Sequence, residues 1–202
     1  MGYTAIVDYG AGNLLSVSKA LDFLGIRSVI TEDQKELSRA DAIILPGVGA
    51  FPDAMEMLRQ KGLSDFLAAE AKKKPFLGIC LGMQLLFDFS EEMGMTKGLS
   101  LIGGGVREIK TPYKLPQIGW NSLELINPSP LTKGLPENAY VYFVHSFAAE
   151  VKNREDLTAV CDYGTKVTAL VSKGSAFGCQ FHPEKSGDVG LMMLKNFGEL
   201  SL

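Results

Sequence analysis

The apolar run at residues 75–79 leads into Gly78-Ile79-Cys80-Leu81-Gly82, and this pentapeptide restricts the fold more than any other stretch of the chain. Glycines two positions before and two positions after a nucleophile suit the sharp strand-to-helix turn of a nucleophile elbow, which leaves little room for side chains on either flank. A strand running straight into a helix implies a sheet with helices packed on it. A cysteine at such an apex lies beside unpaired amide groups and the positive end of a helix dipole, a setting that favours thiolate. The competing reading is a small buried residue, a common fate of free cysteine. Cys161 and Cys179 lie in apolar β runs without the paired glycines, and for both of them the core reading is preferred.

The first half of the chain agrees with a layered α/β arrangement. Residues 3–8, 27–30 and 42–45 read as further strands. Residues 14–24 read as a helix capped by Asn13 and stopped by Gly25, and residues 52–60 and 63–73 as two helical stretches parted near Gly62. Such alternation implies a parallel sheet covered on both faces. The second half is richer in β signals, with short β-branched or aromatic runs at 99–102, 106–109, 122–126, 140–147, 157–161, 167–171 and 176–181. Residues 187–200 read as a closing helix with Val189, Met192, Met193 and Phe197 on one side. No repeat or linker interrupts the 202 residues. The expectation is one α/β domain over 1–202, a mostly parallel sheet flanked by helices with a small antiparallel β region in the second half.

Charge and cysteine usage narrow the function classes. Twenty Lys and Arg against 23 Asp and Glu give a net charge of -3, and Lys72-Lys73-Lys74 is the only basic block, so nucleic-acid binding is not expected. The N-terminus lacks a signal-peptide pattern, and no apolar stretch approaches the roughly 18–20 residues of a membrane span. Three widely spaced cysteines argue against a disulfide framework, so a reducing compartment, the cytoplasm, is expected. Cys179 and His182 make a poor start for a zinc site, which needs three or four ligands in a chain with two histidines, and no metal or other cofactor is expected.

A general base for Cys80 must be one of those two histidines. His145 ends a strand-like run and reads equally as a satisfied strand-end residue. His182 lies in Phe181-His182-Pro183-Glu184, where Glu184 could orient the imidazole and stabilise its charged form. The local pattern favours His182 modestly, and its place after the nucleophile in chain order adds support. Two glycine loops remain. Pro46-Gly47-Val48-Gly49 follows the third strand and could present a backbone N–H to an oxyanion beside that of Leu81, or be a plain turn. Tyr9-Gly10-Ala11-Gly12-Asn13, with Glu32 after the second strand, has a dinucleotide look that fails at position 15, where Leu15 replaces the third glycine.

Pro46-Gly47-Val48-Gly49, Gly78-Ile79-Cys80-Leu81-Gly82-Met83-Gln84 and Phe181-His182-Pro183-Glu184 together resemble class I glutamine amidotransferases, over nearly the full length. Ile118-Gly119-Trp120-Asn121 and Tyr142-Phe143-Val144-His145-Ser146 make the chain similar to one branch, the glutaminase subunits of imidazole glycerol phosphate synthase. The resemblance implies a flavodoxin-like fold and hydrolysis of glutamine. It further implies passage of the ammonia to a separate (β/α)8-barrel cyclase subunit in histidine biosynthesis, with which the chain would form a heterodimer. It implies Cys80 as nucleophile, His182 as acid and base, and Glu184 as the orienting carboxylate. Leu81 and the loop of Gly47, Val48 and Gly49 would serve the oxyanion. Gln84, Glu92, Ser146 and Phe147 would hold the substrate, and Asn13, Trp120, Tyr142 and Lys185 would face the partner. Two positions depart from the branch: Phe147 stands where tyrosine is common, and Gln117 where histidine often precedes Ile-Gly-Trp. The other readings of the same residues are a cysteine hydrolase or peptidase built on this elbow, and a nucleotide-binding or interaction module that kept the fold.

Overall fold

The computed structural model describes residues 2–201. Its first half winds β1 (Thr4–Val7), α1 (Leu14–Phe23), β2 (Ser28–Thr31), α2 (Gln34–Arg39), β3 (Ala42–Gly47), α3 (Phe51–Gln60), α4 (Ser64–Glu70) and β4 (Phe76–Cys80). Next come a single helical turn, α5 (Leu81–Gln84), and the strands β5 (Phe87–Ser90), β6 (Thr96–Lys97), β7 (Ile102–Glu108), β8 (Gln117–Ser122) and β9 (Glu124–Leu125). The chain ends with β10 (Tyr140–His145), β11 (Phe147–Val151), β12 (Leu157–Asp162), β13 (Lys166–Lys173), β14 (Ala176–Cys179) and α6 (Gly187–Gly198).

The main sheet has the order β2-β1-β3-β4-β14-β13-β12-β9. Its first five strands run parallel and the remaining pairings are antiparallel. Every residue of β1, β3 and β4 is buried, as strands covered on both faces require. Alternation along these strands feeds two cores. Ile6, Ile44, Leu77 and Ile79 join α1 and α6 through Val17, Leu21, Leu194 and Phe197. Ala5, Val7, Ile43, Leu45 and Phe76 join α3 and α4 through Leu58 and Leu67. Helix α3 carries Phe51, Ala54, Met55 and Leu58 at spacings of three and four, which places them on its buried stripe. Two smaller sheets complete the molecule, a ribbon of β10 and β8 and a four-stranded sheet ordered β11-β7-β5-β6.

The parallel α/β frame and the antiparallel region agree with the expectation, while several boundaries do not. The run at 140–147 is two strands in different sheets, parted at Ser146. Residues 99–102 are mostly loop, with Ser100 at φ 53, and the strand begins at Ile102. The strand expected at 122–126 lies earlier, at Gln117–Ser122, with Gly119 at φ 130, followed by the two-residue β9. Strands β5 and β6 are additions to the expected elements, being short and following the elbow directly. In α6 Met192 is exposed, and Gly190 and Leu194 share the buried face with Met193 and Phe197.

Candidate active site

Cys80 closes β4 and opens the turn into α5, held at φ 57 and ψ −113. A non-glycine residue rarely adopts positive φ, and the surroundings must impose it. The glycines beside it are required by close packing. A Cβ on Gly78 would meet the Gly82 carbonyl carbon and Met83 Cα at 2.7 Å, and one on Gly82 would overlap the Leu45 carbonyl. Strand, turn and the neighbouring β3 therefore lie against one another without intervening side chains.

β14 pairs with β4 in parallel, Cys179 opposite Ile79, so the chain leaving β14 emerges at the same sheet edge as Cys80. Three residues on stands His182, whose backbone N–H donates to the Tyr142 carbonyl at 3.0 Å. The N–H of Tyr142 in turn donates to Ser186 Oγ at 3.0 Å. Pro183–Lys185 forms one 3-10 turn, which brings Glu184 back beneath the ring. His182 Nδ1 and Glu184 Oε1 are 2.8 Å apart, with side chains 3% and 0% exposed. The His182 ring and Cys80 line the same cavity. Burial alone would lower the His182 pKa, but interactions with Cys80 and Glu184 outweigh it and raise the pKa to about 9.

His145 lines the same cavity in a different state. Its pKa is pushed down to about 4, chiefly by burial and further by the charge on His182, against the opposing pull of the Phe147 carbonyl. The ring is therefore neutral near pH 7. Nδ1 and the Phe147 carbonyl oxygen lie 2.8 Å apart, so the proton belongs on Nδ1, while Nε2 is buried without a partner. The satisfied strand-end histidine read from the sequence is thus satisfied at one nitrogen.

The cavity at this edge measures about 430 Å³, within the usual range for small-molecule pockets. Val48, Gly49, Leu81, Gln84, Glu92, Ser146 and Phe147 all line it. Gly47 does not: it lies behind the loop, where a Cβ would meet the Gly82 nitrogen at 2.7 Å and Tyr9 Oη at 2.8 Å. Tyr9 is fully buried, its hydroxyl lacks a partner, and its pKa is raised by burial and by charge on Cys80. Glu92 Oε2 accepts the Phe51 N–H at 2.8 Å, tying it to the start of α3. Gln84 Nε2 donates to the Phe147 carbonyl and to Gln180 Oε1, both at 3.0 Å, which leaves its own carbonyl available to a ligand. Sequence reasoning missed Gln180. It is fully buried and its Nε2 lies 3.8 Å from Cys80 Sγ. The available signal was a lone glutamine in an otherwise apolar run ending at Phe181.

Trp120 and Tyr142 sit edge to face on the ribbon, ring centroids 6.1 Å apart, and Trp120 is 55% exposed next to exposed Ile118 and Tyr140. Asn13 occupies the cap position of α1 without a side-chain capping bond, and α1 packs against the turn that carries exposed Lys185. Gln117 is buried, donating to Cys161 Sγ at 3.6 Å. Among the described residues no cluster of three or more His, Cys, Asp or Glu could hold a metal, and no helix is long and apolar enough to cross a membrane.

The family model described as glutamine amidotransferase class-I matches residues 5–199. The chain is 50% identical over 194 residues to the imidazole glycerol phosphate synthase subunit HisH of Bacillus anthracis, covering 96% of this chain and 92% of that one. A solved glutamine amidotransferase superposes with a TM-score of 0.78 at 20% identity, covering 99% of each chain. A chain of the PurLQS structure from Thermotoga maritima superposes at 0.75 and 20% identity, covering 97% of each chain. At such identities these two structures speak to the fold alone.

Proposed function

Because this chain belongs to the class-I glutamine amidotransferases, and within them to the HisH subunits of imidazole glycerol phosphate synthase, we propose that it releases ammonia from glutamine for a cyclase subunit in histidine biosynthesis. The observation that carries the site assignment is the buried line Cys80, His182, Glu184 at the carboxyl edge of neighbouring strands. A thiol sharing a cavity with an imidazole that is itself backed by a carboxylate is the arrangement of an activated nucleophile. The cavity beside it accommodates an amino acid. The reading takes residues 1–202 as one glutamine amidotransferase domain acting in the cytoplasm.

In this mechanism the Cys80 thiolate attacks the side-chain carbonyl carbon of glutamine, forming a C–S bond. Backbone N–H groups of Leu81 and of the Val48-Gly49 loop, which line the cavity, stabilise the resulting oxyanion. The C–N bond breaks as His182 gives its proton to the departing ammonia. His182 then takes a proton from water, whose oxygen attacks the glutamyl thioester, and glutamate leaves as the proton returns to sulfur. Gln84, Glu92, Ser146 and Phe147 hold the amino-acid end. The contact of Phe147 with Gln84 runs through its main-chain carbonyl, so replacement of a tyrosine ring here leaves that contact unchanged. A peptide flip in the 47–49 loop, eased by its glycines, is a point at which the partner can control turnover.

The partner in this reading is a (β/α)8-barrel cyclase that forms imidazole glycerol phosphate and an aminoimidazole carboxamide ribotide. It docks on the face bearing Asn13, Trp120, Tyr142 and Lys185. Co-purification with a candidate cyclase, followed by a glutaminase assay with and without cyclase ligand, tests partner, substrate and gating together. Complex formation and acceleration by the ligand are expected. A chain that hydrolyses glutamine equally well alone would reject gated coupling, and one that never hydrolyses it would reject the reading.

A further inference from the structure

A backbone carbonyl can only accept hydrogen bonds, and the one on Phe147 determines the orientation of two side-chain amides. It lies 3.0 Å from Gln84 Nε2 and 2.8 Å from His145 Nδ1, so the nitrogen end of Gln84 must face it. The second hydrogen of the same Gln84 NH₂ is directed to Gln180 Oε1 at 3.0 Å. The carbonyl end of Gln180 is thereby occupied, and its NH₂ end lies 3.8 Å from Cys80 Sγ. Flipping Gln180 would set two NH₂ groups against each other and an oxygen against sulfur. Gln84 is 4% exposed and Gln180 is 0% exposed, so water does not compete for these bonds.

We propose that Gln180 is a catalytic hydrogen-bond donor to the Cys80 sulfur, and that Gln84 is the positioning residue that keeps the donor end turned toward it. The proposal rests on reading Cys80 as the nucleophile. The chain of contacts runs from Phe147, where β11 begins, through Gln84 at the end of α5, to Gln180 just beyond β14. Three separate elements therefore meet in a single amide orientation. His145 supports it from the far side: kept neutral, it shares the Phe147 carbonyl without introducing a charge. Gln84 consequently has two tasks, presenting its carbonyl to the cavity and its NH₂ to the protein. A donor at the sulfur stabilises the anionic form in the resting site and is already in place when the thiol is regenerated.

The test is the pH dependence of Cys80 alkylation by iodoacetamide in the full chain, with the modified residue located by mass spectrometry. This needs neither glutamine nor a partner, so it fails or succeeds independently of the proposed reaction. In Gln180→Met, which keeps length and removes the amide, the alkylation midpoint should rise by about one pH unit. In Gln84→Met, which leaves Gln180 intact but frees it to turn, the midpoint should rise by a smaller step. An unmoved midpoint in Gln180→Met overturns the donor. A shifted Gln180→Met beside an unmoved Gln84→Met overturns the positioning role. If Gln180→Met does not fold, an upward shift in Gln84→Met supports the proposal and an unmoved midpoint there overturns it. Normal alkylation behaviour in a wild-type chain that never cleaves glutamine would reject the proposed function and leave the hydrogen-bond relay standing.

Discussion

Replacing Glu184 by glutamine keeps the shape of the side chain and removes its charge. The carboxylate oxygen lies 2.8 Å from His182 Nδ1, with both side chains almost wholly out of water. Burial pulls the ring below its ordinary 6.5, and contacts with Cys80 and Glu184 together carry it to about 9. A displacement from 6.5 to about 9 corresponds to about 3 kcal/mol of preference for the charged ring. With the carboxylate partner gone and the burial unchanged, the ring should fall back by at least about one pH unit. Because the folded value exceeds the unfolded one, the stabilisation is fully present below pH 6.5 and disappears as pH rises through about 9. Urea unfolding across that window, taken as wild type minus Glu184→Gln, should show the wild-type advantage shrinking by about 1 kcal/mol or more. NMR titration gives the direct reading: His182 should move down while His145, held near 4 mainly by burial, moves little. Glutamine turnover should fall about 10- to 100-fold, as expected for a lost charged hydrogen bond. A His182 midpoint that stays near 9 in the variant would refute the reasoning, whatever happened to turnover.

Cys80→Ala should abolish glutamine-driven synthesis by the complex and spare synthesis from added ammonia; loss of both would contradict a role confined to ammonia supply. His145→Asn should cost less than about tenfold in kcat, whereas His182→Asn should cost at least about a thousandfold, since only His182 is charged and backed by a carboxylate; the reverse order, in a steady-state glutaminase assay, would reassign the base. Gly82→Ala puts a methyl into the space of the Leu45 carbonyl and should destabilise the fold by about 3 kcal/mol or more. Chemical denaturation showing a near-neutral change would mean that strand and elbow can separate.

The elbow was legible because its demands are local. Gly78 and Gly82 are glycine for lack of space, and that requirement shows in the residue types themselves. The pairing of His182 with Glu184 was likewise within reach, since a one-turn helix beginning at a proline returns the second residue to the first. What the sequence could not reveal depends on distant chain. Tyr140 to Phe147 is an unbroken β-like run, and its division at Ser146 follows from which strands wait on either side, β8 for one half and β7 for the other. Gln180 stands in an apolar run with no neighbour to mark its use, because its partners, Gln84 and Cys80, lie about a hundred positions away. Gly47 groups with Val48 and Gly49 as one loop by its sequence, yet it is the last residue of β3 and faces Tyr9.

Tyr142 joins two parts of the molecule by different means. Its ring packs with Trp120 on the ribbon, while its carbonyl receives the N–H of His182. The tie to the histidine uses main-chain atoms that every residue type supplies. Mutation at position 142 can therefore alter the outward ring without removing the bond that seats the histidine. Over evolutionary time such an arrangement lets substitutions reshape this face while the histidine keeps the same seat. The loss of the tie would require a break in the backbone path itself, a far rarer event than a point substitution.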